Sequence, residues 1–483
     1  MPPGIVDLPS ERQALARALV LTHGQSFAQV ELALATVIDA PFFNALSDDE
    51  RHGALSTAAR VAMRLHHEQL AHDYWVRLTA MPGASGGDWF ERFVVECQLQ
   101  EIDAAIATLV TVVQVAPERL ADLEDWVPFE LEKAAAKLPD PSDKKLQLLG
   151  AFYGARWTLR SGLEPSALWR DLTLLLIDKG FLDEAIDVSK HVRNPYDLIG
   201  MRADDRFAAV VSANPAHFAV DAAAEREVHV LASASEKAPR NLDLENDLAD
   251  ALRRRRRYKE MLRTVDAVID RVRAAAGGPV PYDDAAKQYV WVLDYRALAL
   301  IGLGRRDEAL KQLQAAAALP AQADGNVSQW INLGAMNCDL GKPNQALTAL
   351  SRVAVDHLNR YGRMQLEGVR LSAELQLKNA PEVARSLSYL GEHRADDMNT
   401  YESGLVEAAR YNEAAQLLIE RLKDPKLRRQ ALLSIQNFAP TPVLPHEAVI
   451  KSRWRILKAR SDVRAAVRKV GRIESYDIAP DLD

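Results

Sequence analysis

The chain of 483 residues carries 60 Lys and Arg against 67 Asp and Glu, a formal net charge of −7, which excludes binding of nucleic acid by bulk positive charge. Apolar residues make up 48% and aromatic residues only 6%, with alanine and leucine dominant, so there is ample core material for helices and little for strands. Two cysteines, Cys97 and Cys338, exclude a disulfide framework and suit small buried thiols in a reducing compartment.

At the amino terminus, Met1-Pro2-Pro3-Gly4 leads into Asp7 and Glu11 without the basic start and apolar core of a signal peptide. No apolar run approaches the roughly 18 residues of a membrane span. A cytoplasmic location is therefore expected. Residues 9–120 read as helices broken near 24, at 41–48 and at 82–88, the last by Pro82-Gly83-Ala84-Ser85-Gly86-Gly87. Within 121–165 the break is Leu138-Pro139-Asp140-Pro141-Ser142. Short elements at 196–201 and 205–212 resemble a truncated repeat closed by Asn214-Pro215, followed by helical stretches at 218–237 and 241–273. Gly277-Gly278-Pro279-Val280-Pro281 marks a subdomain boundary. After Asp424-Pro425 a helix is expected to about 437, then the proline loop 439–445 and a final helical pair over 446–470.

A spacing of small and bulky residues returns after 34 residues early in the chain, Ala71 and Trp75 being answered by Ala105 and Leu109. The stretch 86–119 places Trp89, Phe93, Ala105, Leu109 and Pro117 in one pattern, and the segment from Ser166 places Trp169, Leu172, Leu176, Gly180, Ala185 and Val192. From Val290 come Leu293, Ala297, Leu300, Gly304, Ala309, Leu313 and Ala316. From Val327 come Trp330, Leu333, Gly334, Gly341, Ala346, Leu350 and Val353. Gly304 and Gly341 lie 37 residues apart, which puts a three-residue extension in the linking turn. Weaker copies occupy 242–275, where Arg256 replaces the turn glycine, 364–397, in a register keyed on Val383 or Ala384, and 395–428, with Tyr411, Ala414 and Leu418.

This pattern resembles the tetratricopeptide repeat, a helical hairpin that buries its apolar face only against its neighbours. The resemblance implies an all-α superhelical solenoid of stacked antiparallel helix pairs and a non-enzymatic, bacterial-type scaffold or adaptor that presents a concave face to a protein or peptide. Large residues such as Trp169 and Trp330 are expected between the two helices of their repeats. Gly180, Gly304 and Gly341 are expected to end first helices at positive φ. The expected organisation is N-terminal helical repeats over 1–165, central repeats over 166–276, further repeats over 282–420 and a basic helical cap and tail over 421–483.

As the resemblance implies, first-helix polar residues line the partner-binding face: Arg170 in the repeat from 166, Asn246, Asp250, Arg253 and Arg254 in the repeat from 242, and Trp291 and Asp294 in the repeat from 290. The groove is mixed in charge and departs from the two-lysine, asparagine-rich clamp of chaperone-binding members. Arg253 to Arg257, read as a helical run, cannot all face one way. The alternative role for these arginines is bridging acidic faces of adjacent helices.

No phosphate loop, dinucleotide turn, nucleophile elbow, HExxH helix or paired CxxC is present, so no cofactor is expected. His66, His67 and His72 around Glu68 have poor spacing for a metal site, and His357 reads as a polar residue of a second helix. Asp204-Asp205, Asp283-Asp284 and Asp396-Asp397 read as helix caps. The rival readings are a helical regulatory enzyme or phosphatase-like regulator using these groups, and nucleic-acid contact through the basic carboxyl region. Between Arg421 and Ile473 stand 14 Lys or Arg against three acids, so this segment is expected to cap the array and offer positive charge to an acidic surface. Its apolar residues Trp454, Ile456, Leu457, Val463 and Val467 are expected to face the preceding repeats.

Overall fold

The computed structural model describes residues 10–20, 26–275, 278–319 and 326–481. The sequence features at Met1–Asp7 and near 24, Gly277 of the linker, and residues 320–325 of the extended turn lie outside the described residues. Two compact units divide the chain, Met1–His191 and Val192–Asp483.

The first unit contains α1 (Ser10–Val20), α2 (Phe27–Ile38), α3 (Asp48–Arg64), α4 (Glu68–Thr79), α5 (Gly86–Gln98), α6 (Ile102–Val115), α7 (Val127–Ala135), α8 (Pro141–Gly154), α9 (Ser166–Lys179) and α10 (Leu182–Ser189). The second contains α11 (Pro195–Ala203), α12 (Ala208–Ala213), α13 (Val220–Lys237), α14 (Leu242–Arg254), α15 (Tyr258–Ala274), α16 (Ala285–Gly302), α17 (Arg306–Ala317), α18 (Val327–Asp339), α19 (Pro343–Leu350), α20 (Arg360–Leu377), α21 (Ala380–Glu392), α22 (Met398–Glu407), α23 (Tyr411–Lys423), α24 (Arg428–Ser434), α25 (Pro445–Ala459) and α26 (Ser461–Val467). Each unit is an α-helical solenoid of stacked helix pairs. The second adds a pair of two-residue parallel strands, β1 (Asn437–Phe438) and β2 (Ser475–Tyr476), that the sequence does not announce.

One local device makes the pairs. A residue in the left-handed region turns the chain from first helix to second at His66, Gln100, Gly180, Arg256, Gly304, Gly341, Lys378 and Ala409. Five positions later stands the residue that lets the second helix approach: Ala71, Ala105, Ala185, Met261, Ala309, Ala346, Val383 and Ala414, all buried except Val383, which is partly so. This offset selects Val383 over Ala384, which is exposed. Glycine adopts positive φ without a Cβ clash, whereas Arg256 and Ala409 do so at a cost of roughly 1–2 kcal/mol offset by the packing around them. Gly334 serves close approach instead, since a Cβ there would come 2.8 Å from Leu350.

Stacking is repetitive in the second unit. α15, α17, α19 and α21 each pack on the first helix of the next pair, while α14 touches α16, α18 touches α20 and α20 touches α22. First helices therefore share one face. Trp169 is fully buried; Trp330 is partly so, packing against the clusters that hold Ala349, Leu350 and Val353 of its own repeat and lining an open cavity of about 420 Å³ with Leu310 and Gln314 of α17. His357 falls in a short 3-10 turn after α19, not in the second helix.

The carboxyl segment does more than cover an end. Leu457, Val463 and Val467 enter one cluster with Leu418 and Leu432, with Trp454 at its margin, whereas Ile456 is 49% exposed and does not face the repeats as expected. α24 packs on α11, and Arg429 donates to Asp197 at 2.8 Å, so the chain near its carboxyl end returns to the first helix of this unit.

Candidate functional site

At the charge-rich end of α14 the second unit brings together three of the residues expected from the sequence, Asp250, Arg253 and Arg254. The helix starts with the Asn241 side chain accepting from the Leu244 amide, and Asp284 accepts the Leu242 and Asp243 amides at 2.8 and 2.9 Å. Asp397 likewise accepts the Asn399 and Thr400 amides at the start of α22, and Asp204 the Arg206 amide, which is the capping role read from the acidic pairs. The helix ends at Arg254, and Arg256 takes the left-handed turn. The arginine run is thus split between a last helical turn and a hairpin rather than lying on one helix.

Arg253 is 5% exposed; its Nε donates to Asp250 at 2.7 Å and Nη1 to the Pro480 carbonyl at 2.8 Å. Arg254 donates to Glu227 at 2.7 Å and to Asp250, and its guanidinium lies 5.3 Å from the centre of the Tyr196 ring. Burial acts to raise Asp250, but the Arg254 and Arg253 guanidiniums outweigh it and hold the carboxyl below its ordinary range. Burial pushes Glu227 up against the opposing pull of Arg254. A cluster this enclosed is stable only because each charge has a partner.

The tail of the chain supplies further partners to this cluster. The Arg472 amide donates to the Ala203 carbonyl at 2.9 Å, β2 lies parallel to β1, and the Ala439 amide reaches the Ile478 carbonyl at 2.9 Å. From there 477–481 runs across the end of α14. The Ala479 amide donates to the Arg254 carbonyl at 2.8 Å, the Tyr196 hydroxyl to the Ala479 carbonyl at 2.8 Å, and Arg255 to the Asp477 carbonyl at 3.1 Å, while Arg256 pairs with the Asp477 carboxylate. Ile478 and Ala479 are buried. A helix C-terminus leaves carbonyls unpaired, and here a peptide amide satisfies one of them.

Other designated residues lie apart from this contact. Asn246, two turns before Arg253 on α14, donates to the Gln288 carbonyl at 3.2 Å. On α16, Trp291 is 39% exposed, whereas Asp294 is 7% exposed and accepts from Asn332 at 3.0 Å and Gln329 at 3.4 Å. Burial pushes Asp294 up to about 6, partly countered by those two amides. Arg170 belongs to the first unit and pairs with Asp171 at 2.8 Å. Further along the first-helix face, α18, α20 and α22 contribute to a cavity of about 480 Å³ with a mixed lining that includes Asp339, Gln365, Val369, Thr400 and Glu407.

The histidine group does not converge. His66 is exposed, His67 pairs with Glu31 at 2.9 Å, and His72 lies 3.5 Å from the buried Glu96, which Arg92 also contacts. Among the described residues, no group of three or more His, Cys, Asp or Glu is arranged to hold a metal, and no helix is long and apolar enough to cross a membrane. Sequence reasoning passed over Tyr196, Glu227 and the 477–481 segment. The acidic residues Asp477 and Asp481 after a strongly basic stretch were the available signal, complementary in sign to Arg253–Arg257.

No protein-family model and no curated protein matches the chain. Among solved structures, it is similar to a chain of the APC/C hetero-tetramer Cut9–Hcn1, at 14% identity over 95% of this chain and 80% of that one, with a TM-score of 0.36. It is also similar to the TPR domain of P58(IPK), at 14% identity over 86% and 100%, TM-score 0.22, and to a Rap protein complexed with competence and sporulation factor, at 11% over 84% and 99%, TM-score 0.31.

Proposed function

We propose that the protein is a non-enzymatic interaction scaffold whose first-helix face receives an extended segment of a protein partner, with the end of α14 as the principal contact. One observation carries this reading: the chain's own 477–481 segment lies across it, held through its main chain and through an acidic side chain. Main-chain bonds accept many sequences, and the arginines favour an acidic one. Asn246, Asp250, Arg253, Arg254, Trp291 and Asp294 belong to this face in the proposal, and Arg170 to a corresponding face of the first unit. A bacterial cytoplasm fits the two free cysteines, Cys97 and Cys338.

The test uses the full chain with Ala479→Asp, which places a charge where a buried methyl now sits. The own tail should detach, seen as faster hydrogen exchange over 475–481, and a labelled peptide of the natural 475–483 sequence should then bind the variant and not the parent. Adding Arg256→Glu should weaken that binding by at least about tenfold, the loss of a charge-assisted bond. A detached tail with no peptide binding refutes the proposal.

A further inference from the structure

The carboxyl region contains a second concentration of charge that differs from the first in having almost no internal counter-charge. Lys458 from α25, Arg464 from α26, and Arg468 and Arg472 from the following turn line one cavity of about 390 Å³, together with Asn437, Val467, Gly471 and Ile473. No carboxylate belongs to this lining. Arg472 pairs with Asp205 at 2.6 Å, but among the described residues no carboxylate pairs with Lys458, Arg464 or Arg468.

Hydrogen bonds hold the cations in place without neutralising them. Lys458 Nζ donates to the Gln436 carbonyl at 2.8 Å, and Arg464 Nε donates to the Lys458 carbonyl at 3.3 Å. Burial lowers Lys458 to about 8, so an anion in the cavity would favour its charged form. Elsewhere in the unit, buried arginines are matched to carboxylates, as Arg254 is to Glu227 and Arg421 to Glu402. Cations that converge on one cavity without carboxylates among them create a positive potential there that favours an anion.

We infer that this cavity binds a small anion bearing two or more linked phosphates. The volume falls within the range of small-molecule sites, roughly 300–1,000 Å³, and the recess favours a compact ligand over the flat surface of an acidic protein. Guanidinium forks match phosphate oxygens in pairs, and the ammonium supplies a point charge from the more buried side. Val467 and Ile473 give the lining an apolar component, and it holds no aromatic ring to stack a base, so the linked phosphates carry the recognition whether or not a nucleoside is attached.

Calorimetric titration of the full chain with inorganic pyrophosphate, and separately with ADP, tests the assignment. Saturable one-to-one binding is expected. Arg464→Ala and Arg468→Ala, both at exposed positions outside the apolar core, should each weaken it about tenfold, while Lys469→Ala, exposed but not in the lining, should leave it unchanged. Equal affinity for the two probes makes the linked phosphates themselves the ligand, and a tighter ADP complex makes a nucleoside diphosphate the source; both support the inference. Absence of saturable binding, or an equal loss on Lys469→Ala, overturns it.

Discussion

Asp294→Asn should reverse its effect on stability with pH. The carboxyl is 7% exposed, faces the amides of Asn332 and Gln329, and has one oxygen, Oδ1, buried without a hydrogen-bond partner. Its folded pKa of about 6 stands above the ordinary 3.8, so the folded state holds the proton more tightly than the unfolded state. The resulting stabilisation is fully present below about pH 4 and is lost as the pH rises through about 6. A shift of about two units corresponds to about 3 kcal/mol. Asparagine does not titrate, but its amide places donors where Oδ1 lacks a partner, at a cost of roughly 1–2 kcal/mol. The variant should therefore be less stable than the parent by about 1–2 kcal/mol at pH 4 and more stable by about 1 kcal/mol at pH 7.5. With two compact units the chain need not unfold in one step, so urea denaturation should be followed through hydrogen exchange of α16 and α18. A difference between variant and parent that is the same at both pH values refutes the reasoning.

Trp169→Ala should cost about 3–5 kcal/mol in the first unit, since the buried indole packs edge-on to Tyr153 and donates to Glu164 at 2.7 Å. Trp330→Ala, at the matching repeat position, should cost about 2–3 kcal/mol because water can enter the open cavity it lines; unit-resolved exchange showing equal losses would contradict this. Arg421→Ala should cost about 3–5 kcal/mol by leaving Glu402 buried without its cation, whereas the double change Arg421→Met with Glu402→Leu should recover most of that loss in denaturation. Failure of the double variant to improve on the single one would show that the pair contributes more than mutual neutralisation.

The repeats were legible because their information is local. A glycine at 180, 304 or 341 followed five residues later by alanine specifies a hairpin, and apolar spacing supplies its buried face, so the all-α stacked architecture follows from short-range pattern. The same rule was hidden where Gln100, Lys378 and Ala409 make the left-handed turn, because nothing in those side chains advertises positive φ. Tertiary structure decided the rest. Asp250, Arg253 and Arg254 are brought to Glu227 and Tyr196 by packing, and to Asp477–Asp481 by a return of the chain across more than two hundred residues. Lys458 and Arg472 likewise line one cavity only because the segment after α26 returns to Gln436 and Asn437. Periodicity constrains each helix against its neighbours in sequence, whereas such long-range closures depend on accumulated geometry and on single charges finding partners, which leave no repeating trace.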